Sequence, residues 1–457
     1  MIKTSNFHYS IFLSVIFLSL SFPMQVLMRS PLPALIPYLF LSYAFLKSPA
    51  NFFPIKKQSL SVNDFFVLIF IVLVFSNSFW QISLGFITSE QFLSSIVIFL
   101  LPFSYYLFFG NKLNSIYLRD FLLGIAIAGI VCGIFGVYDS FLKLNGLISD
   151  YSFESQLYSI DRMNQAMEDS NMTRISLSGR SMGLLEKHSI SSAWISFGCF
   201  AALALSDGKK NRRFFILATY GGMLLVLFNV TAIMAFCVVV GLIEYNFYTI
   251  SIGFVKKKSI NLVICTAIFL ASVISTISII SELLNASFFE RYLEVLTVQM
   301  DIALGISDVA HQGTGYFGAL YDAVVRFFGE AVERPNIFYL GQGFSFSYGA
   351  ELGGDFGIVE TFYLLGFPLT ISVLIGLFIL LVIKMKLASR LSGANLSLVL
   401  QEYKFALAII IYVLLCDVHY SIWYSKSIFP IFLVALSIFL VHKKRHQHGT
   451  RNNVLTI

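Results

Sequence analysis

IFLSVIFLSLSFPMQVL, Ile11 to Leu27, runs seventeen positions without a charged residue. A helix of about 17–25 apolar residues crosses the hydrocarbon core of a bilayer. A transmembrane β-strand would instead alternate apolar and polar residues over a shorter stretch, so continuity argues for helix. The run has no small-residue cleavage site and many similar runs follow it. It therefore reads as a retained first helix rather than a signal peptide. Working outward, comparable runs are centred near residues 18, 39, 72, 100, 130, 197, 221, 241, 270, 374, 415 and 434. The expected fold is all-α: a polytopic membrane helix bundle of about 12 transmembrane helices, forming one integral membrane domain over residues 1–457.

Composition points the same way. The chain is 57% hydrophobic and only 12% charged, with 48 Phe, whereas a soluble domain carries roughly 25% charged residues. The five cysteines (Cys132, Cys199, Cys237, Cys265 and Cys416) all sit inside apolar runs. No disulfide framework and no CxxC metal spacing follows from them. They read as small packing residues. The net charge of +6 is no nucleic-acid signal, because where the charges fall matters more than their sum, and no nucleic acid is expected as a partner.

Where the charges fall sets the orientation. Lys56 and Lys57, Lys112 and Arg119, Lys209 to Arg213, Lys256 to Lys258, Lys384 to Arg390, and Lys443 to Arg445 occupy alternate loops. With the N-terminus inside, those loops hold 21 of the 31 Lys and Arg, and the longer outer loops hold the other 10. The positive-inside rule then places both termini in the cytoplasm. Two long polar loops, 144–187 and 282–355, fall on the outer face. The second carries three Arg (291, 326 and 334) against ten Asp and Glu. That acid excess excludes a broad basic funnel; an anion site here needs individually placed arginines. Apolar residues recur every three to four positions at Phe289, Leu293, Leu296, Met300 and Leu304, and again over Tyr316 to Val332 at Leu320, Val324 and Phe328. Both patterns predict amphipathic helices on the bilayer or capping the bundle.

Three stretches hold residues suited to chemistry. GRSMGLLEKHS, Gly179 to Ser189, puts Arg180, Gly183, Lys187 and His188 where a helix begins at the membrane surface. A guanidinium grips phosphate oxygens in a bidentate fork, and a helix N-terminus adds donors. The plainer reading makes Arg180 and Lys187 interfacial anchors that snorkel to headgroups, with Glu186 as local partner.

ERPNIFYLGQGFSFSYGAELGGDFGIVETFYLLGFP, Glu333 to Pro368, combines Arg334, Gly341, Gly343, Asp355 and Glu360. Its glycines allow tight turns and close backbone approach to a ligand. A carboxylate at membrane depth is a site by default, with a partner expected. The alternative is a purely structural salt bridge to a loop arginine.

Phe405 to Tyr424 holds Asp417 and His419 toward the outer end of the eleventh run, two positions apart and so on different helix faces. His419 belongs either to a polar site opening outward or to a hydrogen bond across the bundle. Arg291 has Glu290 and Glu294 beside it, and Arg326 has Glu330 four residues on, so local ion pairing competes with a binding role. The tail histidines His442, His446 and His448 read as a solvated cytoplasmic end. The sequence contains no Walker A, GxGxxG or HExxH pattern, and neither nucleotide nor metal chemistry is indicated.

Together these features resemble the O-antigen polymerase/ligase superfamily of bacterial envelope glycosyltransferases. Its architecture of about a dozen spans with two large periplasmic loops covers most of the chain. RSMGLLEKHS resembles the family's Arg-x-x-Gly segment through Arg180 and Gly183, with His188 where Asn is common. Tyr339 to Pro368 resembles its Gly-x-Gly turn, then Asp or His, then Gly within a span, through Gly341, Gly343, Asp355 and Gly366. Arg326 approximates the family's arginine-then-glycine spacing. The chain departs from many relatives at Val230 and Thr231, where they carry Ser-Arg. It also has Asp355 where the ligases have His, which favours polymerase over ligase.

The resemblance implies a metal-independent and cofactor-free enzyme of the bacterial inner membrane. Its donor would be an oligosaccharide repeat unit on undecaprenyl diphosphate, joined into O-antigen, capsule or exopolysaccharide. Membrane lipids, a flippase and a chain-length regulator are the further partners implied. Arg180, Arg326 and Arg334 would hold the diphosphate, with Arg291, Gly341, Gly343 and His419 completing the substrate site. Asp355 leads as catalytic base, with Glu360 or His188 next. An O-antigen ligase, and a flippase or secondary transporter, are the competing readings.

Overall fold

A computed structural model of the chain describes residues 8–28, 32–48, 69, 72–73, 75–76, 79–80, 82–83, 100–110, 117–144, 185, 188–206, 210–227, 229–244, 297, 315–342, 356–390, 397–420, 422–423 and 425–440. Among them the secondary structure is helical, with no strand. In chain order the helices are α1 (Tyr9–Met28), a 3-10 turn at Leu32–Leu35, α2 (Ile36–Lys47), α3 (Phe103–Gly110), α4 (Leu118–Leu144) and α5 (His188–Leu205). There follow α6 (Lys210–Val226), α7 (Val230–Glu244), α8 (Gly315–Glu333), α9 (Pro335–Leu340), α10 (Gly357–Leu365), α11 (Phe367–Arg390), α12 (Ser397–Asp417) and α13 (Phe429–Leu440).

Among the described residues, two helices are long and apolar enough to cross a membrane: Leu118–Ser140 and His188–Leu205. Gly357–Leu365 and Phe367–Val382 reach that length together, but bend by 120° at the break between them. Tyr9–Gln25, Leu32–Lys47, Val230–Leu242 and Phe429–Leu440 are shorter apolar helices. Of the twelve apolar runs, those centred near 72, 100 and 270 lie wholly or largely outside the described residues.

Two expectations need correcting. The tenth run is not one straight span, because Gly366 takes a φ of 79° and ends α10. Pro368 then sits in the first turn of α11, where its missing N–H costs no helical hydrogen bond. The eleventh run does not continue as helix to Tyr424; α12 stops at Asp417, and His419 occupies the turn beyond it.

The chain divides into two compact units. One is formed from Val15–Pro37 and Leu122–Leu320. At its centre α5 is buried almost throughout and packs against α6 and α7, which also meet each other. Small residues let α4 approach closely: a Cβ on Gly129 would lie 2.7 Å from the Cα of Gly198 and from the Trp194 carbonyl oxygen. Backbone-to-backbone packing of this kind is typical of helices without a hydrophobic driving force between them. The Tyr220 hydroxyl donates to the Ala126 carbonyl at 2.8 Å, fastening α6 to α4.

The other unit is formed from Met1–Ser14, Tyr38–Phe121 and Tyr321–Ile457. Here α9, α10 and α11 pack on one another and α10 also meets α12. Aromatic rings join these elements: Phe327 of α8 meets Tyr363 of α10 edge-on at 5.0 Å, and Phe338 of α9 stacks on Phe367 of α11 at 5.4 Å. Elsewhere in this unit the Ser14 and Tyr105 hydroxyls are hydrogen-bonded, and the His8 backbone N–H donates to Asp120 at 2.9 Å.

Candidate functional site

The stretch from α8 to α11 positions most of the described candidates. α8 forms over almost the segment the periodicity predicts, yet the buried stripe differs by one register. Ala323, Phe327 and Ala331 are buried, while Phe328 is exposed. Phe327 buries completely because α10 offers it Phe362 and Tyr363. That places Arg326 on the exposed side of α8. Arg326 and Glu330 both lie within electrostatic reach of the Tyr363 hydroxyl on α10. Arg334, also exposed, occupies the corner between α8 and α9: its N–H donates to the Glu330 carbonyl, and its own carbonyl accepts from Ile337.

Gly341 makes the tight turn that its sequence allows. Gly341 has a φ of 67°, and a Cβ there would stand 2.6 Å from the Leu364 carbonyl oxygen and the Gly366 nitrogen. Reciprocally, a Cβ on Gly366 would stand 2.6 Å from the Tyr339 carbonyl oxygen. The Gln342 N–H adds a hydrogen bond to the Tyr363 carbonyl. The close approach at Gly341 is to the chain's own backbone. The two glycines form a clasp that holds the end of α9 against the end of α10.

α10 begins at Phe356, an extended residue whose side chain makes no cap. Its first N–H, from Gly357, is satisfied by the His419 carbonyl at 3.1 Å. His419 therefore contributes through its backbone, while its ring packs against Tyr420 and Phe356. Glu360 lies in the first turn of α10 and is buried. A carboxylate is favoured there by the helix dipole. Arg326, Arg334, Gly341, Glu360 and His419 are all carried by this one unit.

His188 belongs to the other unit, where it is half-buried at the first position of α5. Its carbonyl accepts from the Ser192 hydroxyl at 2.8 Å, and Ser192 in turn lies 3.3 Å from the Asn229 side-chain amide. Asn229 caps α7, its side-chain oxygen accepting from the Ala232 N–H at 3.1 Å. Arg180, Gly183, Lys187, Arg291, Gly343 and Asp355 lie outside the described residues. So does the helical pattern of Phe289 to Ile306, apart from residue 297.

Sequence reasoning missed Tyr363, Thr361, Trp423 and Asn229. The Trp423 indole N–H donates to Thr361 at 3.1 Å, and the Thr361 hydroxyl to the Gly357 carbonyl at 2.8 Å. Nothing local marks Thr361 or Trp423, because 62 residues separate them. Asn229 did carry a signal: Asn directly before an apolar run is a helix-capping pattern. Models of known protein families find no match in this sequence, and no characterised protein matches it significantly.

Proposed function

We propose that the chain is a polytopic inner-membrane glycosyltransferase of about a dozen spans. It would polymerise undecaprenyl-diphosphate-linked oligosaccharide repeat units of a surface polysaccharide at the periplasmic face. The observation that supports the reading is that Arg326 and Glu330 of α8 lie within electrostatic reach of the Tyr363 hydroxyl on α10, the helix that carries Glu360 in its first turn and begins just after the position of Asp355. Exposed isoleucines and phenylalanines along α4 and α11, among them Ile134, Ile375 and Phe378, support lipid-facing helices.

In this reaction the bond from the sugar anomeric carbon to the diphosphate oxygen breaks. A bond from an acceptor hydroxyl to that carbon forms. Exposed arginines stabilise the charge developing on the leaving diphosphate, preorganised as oxyanion donors are. A carboxylate takes the hydroxyl proton; Asp355 is the first choice, followed by Glu360 and His188. Arg180, Arg291 and Gly343 are the further residues proposed for binding the donor.

One observation favours a second reading. A span broken at 120° is also the form in which transporters build midplane sites, so a flippase or secondary transporter is the main rival from another class. An O-antigen ligase is the nearest rival enzyme. Deleting the gene and resolving surface glycan on a ladder gel separates them. Polymerase loss leaves single repeats on the core, ligase loss removes glycan from the core, and flippase loss traps repeats inside. Long chains that persist after deletion would refute the proposal. Arg180→Ala and Asp355→Asn, expressed at normal levels, should each reproduce the deletion.

A further inference from the structure

Helix α8 carries more apolar surface than its neighbours in the fold take up. Ala323, Phe327 and Ala331 form its buried stripe, with Phe327 seated on the Phe362 and Tyr363 rings of α10. Beside it runs a second stripe of Tyr321, Val325, Phe328 and Val332, which the fold leaves 68, 50, 37 and 82% exposed. At 3.6 residues per turn these four share one face, roughly a third of a turn round from the buried stripe. The remaining third carries Asp322, Arg326, Gly329, Glu330 and Glu333. A helix packed on a protein and otherwise in water needs only two sectors, one apolar and one polar. This one has three, and the exposed apolar sector calls for a second apolar neighbour.

The position of α8 identifies that neighbour. Phe328, in the exposed stripe, meets the Phe367 ring edge-on at 5.3 Å. Phe367 is the first residue of α11, the longer arm of the bent pair that together reaches the length of a membrane span. Phe378, exposed on α11, lies eleven residues on, about three full turns, and so on the same side of that helix as Phe367. The exposed stripe of α8 thus joins the apolar outer side of α11 at the end where α11 begins. The end of a span lies at the level of the headgroups, and tyrosine is the residue suited to that level. Tyr321 on α8 and Tyr339 on α9 are both exposed there.

A second copy of the chain fits the stripe less well. Four side chains of no more than about 250 Å² each, exposed to these degrees, offer less than about 600 Å² of surface. A stable protein interface takes about 800 Å² from each partner. The polar sector then selects the lipid. Its three carboxylates against one guanidinium repel anionic headgroups, and it lacks the Lys and Arg that draw amphipathic helices to them.

We infer that α8 is an interfacial helix lying along the bilayer surface, its Tyr321, Val325, Phe328 and Val332 stripe set into the boundary between headgroups and chains of zwitterionic phospholipid. The inference is independent of the glycan reading and needs only that α11 crosses the bilayer.

The test uses the full chain in nanodiscs of phosphatidylcholine, either plain or brominated near the headgroup end of its acyl chains. Bromine quenches tryptophan on contact. Trp80, Trp194 and Trp423 are present already, so each tryptophan variant is read as a difference from the unsubstituted protein. Val325→Trp and Val332→Trp should be quenched at least about twofold more than Asp322→Trp and Glu333→Trp in the polar sector. All four positions are exposed, so the larger ring needs no repacking, and two variants in each sector keep the comparison readable if one misfolds. Replacing part of the lipid with phosphatidylglycerol, or raising salt to about 0.5 M, should leave the ratio unchanged. Equal quenching in the two sectors would overturn the inference. So would a Val332→Trp emission that is blue-shifted yet untouched by bromine, the mark of a second protein copy over the stripe. A ratio that rises with phosphatidylglycerol and falls with salt would overturn the assignment to zwitterionic lipid.

Discussion

Replacing Gly366 with alanine should loosen the joint between α9 and α10 at a cost that can be worked from its geometry. Gly366 has φ 79° and ψ 154°, and Gly341 has φ 67° and ψ −173°. Both lie in a region that is essentially restricted to glycine, where another residue is strained by about 1–3 kcal/mol. The methyl group would also sit 2.6 Å from the Tyr339 carbonyl oxygen and 3.0 Å from the Gly341 nitrogen. Backbone, not a flexible side chain, must then move, and the Gln342 to Tyr363 hydrogen bond moves with it. The expected loss is at the upper end of that range, about 3 kcal/mol. Thermal unfolding of the detergent-solubilised protein, followed by tryptophan fluorescence, should show it as a lower midpoint.

Gly329→Ala is the internal control. That position is helical with nothing within 4 Å of the added Cβ, so alanine should gain about 0.5–1 kcal/mol. Because Gly341 and Gly366 share one contact, the double alanine variant should cost less than the two single variants together. If Gly366→Ala were as stable as Gly329→Ala, or if the two clasp variants were fully additive, the account of the clasp would be wrong.

In the other unit, Gly198→Ala should separate α4 from α5. Its Cβ would stand 2.8 Å from the Gly129 Cα, and a stability loss of about 1–3 kcal/mol should appear in the same melt. Asn229→Leu removes the α7 cap and the contact to Ser192, and should lower stability by about 1–2 kcal/mol. Arg326→Ala and Arg334→Ala change exposed side chains, so each should alter stability by no more than about 0.5 kcal/mol. Glycan chain length on the ladder gel should nevertheless collapse, and lysine at either position should not restore it, because an ammonium lacks the planar fork that grips a diphosphate.

Much of the helical content was legible because apolar runs are local. Leu118–Ser140 and His188–Leu205 appear where continuous hydropathy places them. The buried face of α8 was not, since its apolar residues leave two neighbouring stripes open. Only the rings of α10 choose the one through Phe327. The Gly341 and Gly366 pair illustrates the same limit: each glycine announces a turn, but nothing in either segment says that the two turns touch. Asp417 and His419 were expected on different faces of one helix, but α12 ends at Asp417 and His419 lies in the turn beyond it. That one lines a cavity and the other holds a helix start through its carbonyl was invisible from their spacing.

By itself, then, the sequence determined the helical class, the charge asymmetry between alternate loops, and the small set of arginines and carboxylates worth testing. These follow from composition and from periodicity within a few turns of chain. The tertiary structure alone decided where α10 breaks, which glycines meet, and which polar side chains have already spent their donors on the protein. Those outcomes depend on pairs such as Thr361 and Trp423, whose chemistry is set by contacts between segments far apart in the chain.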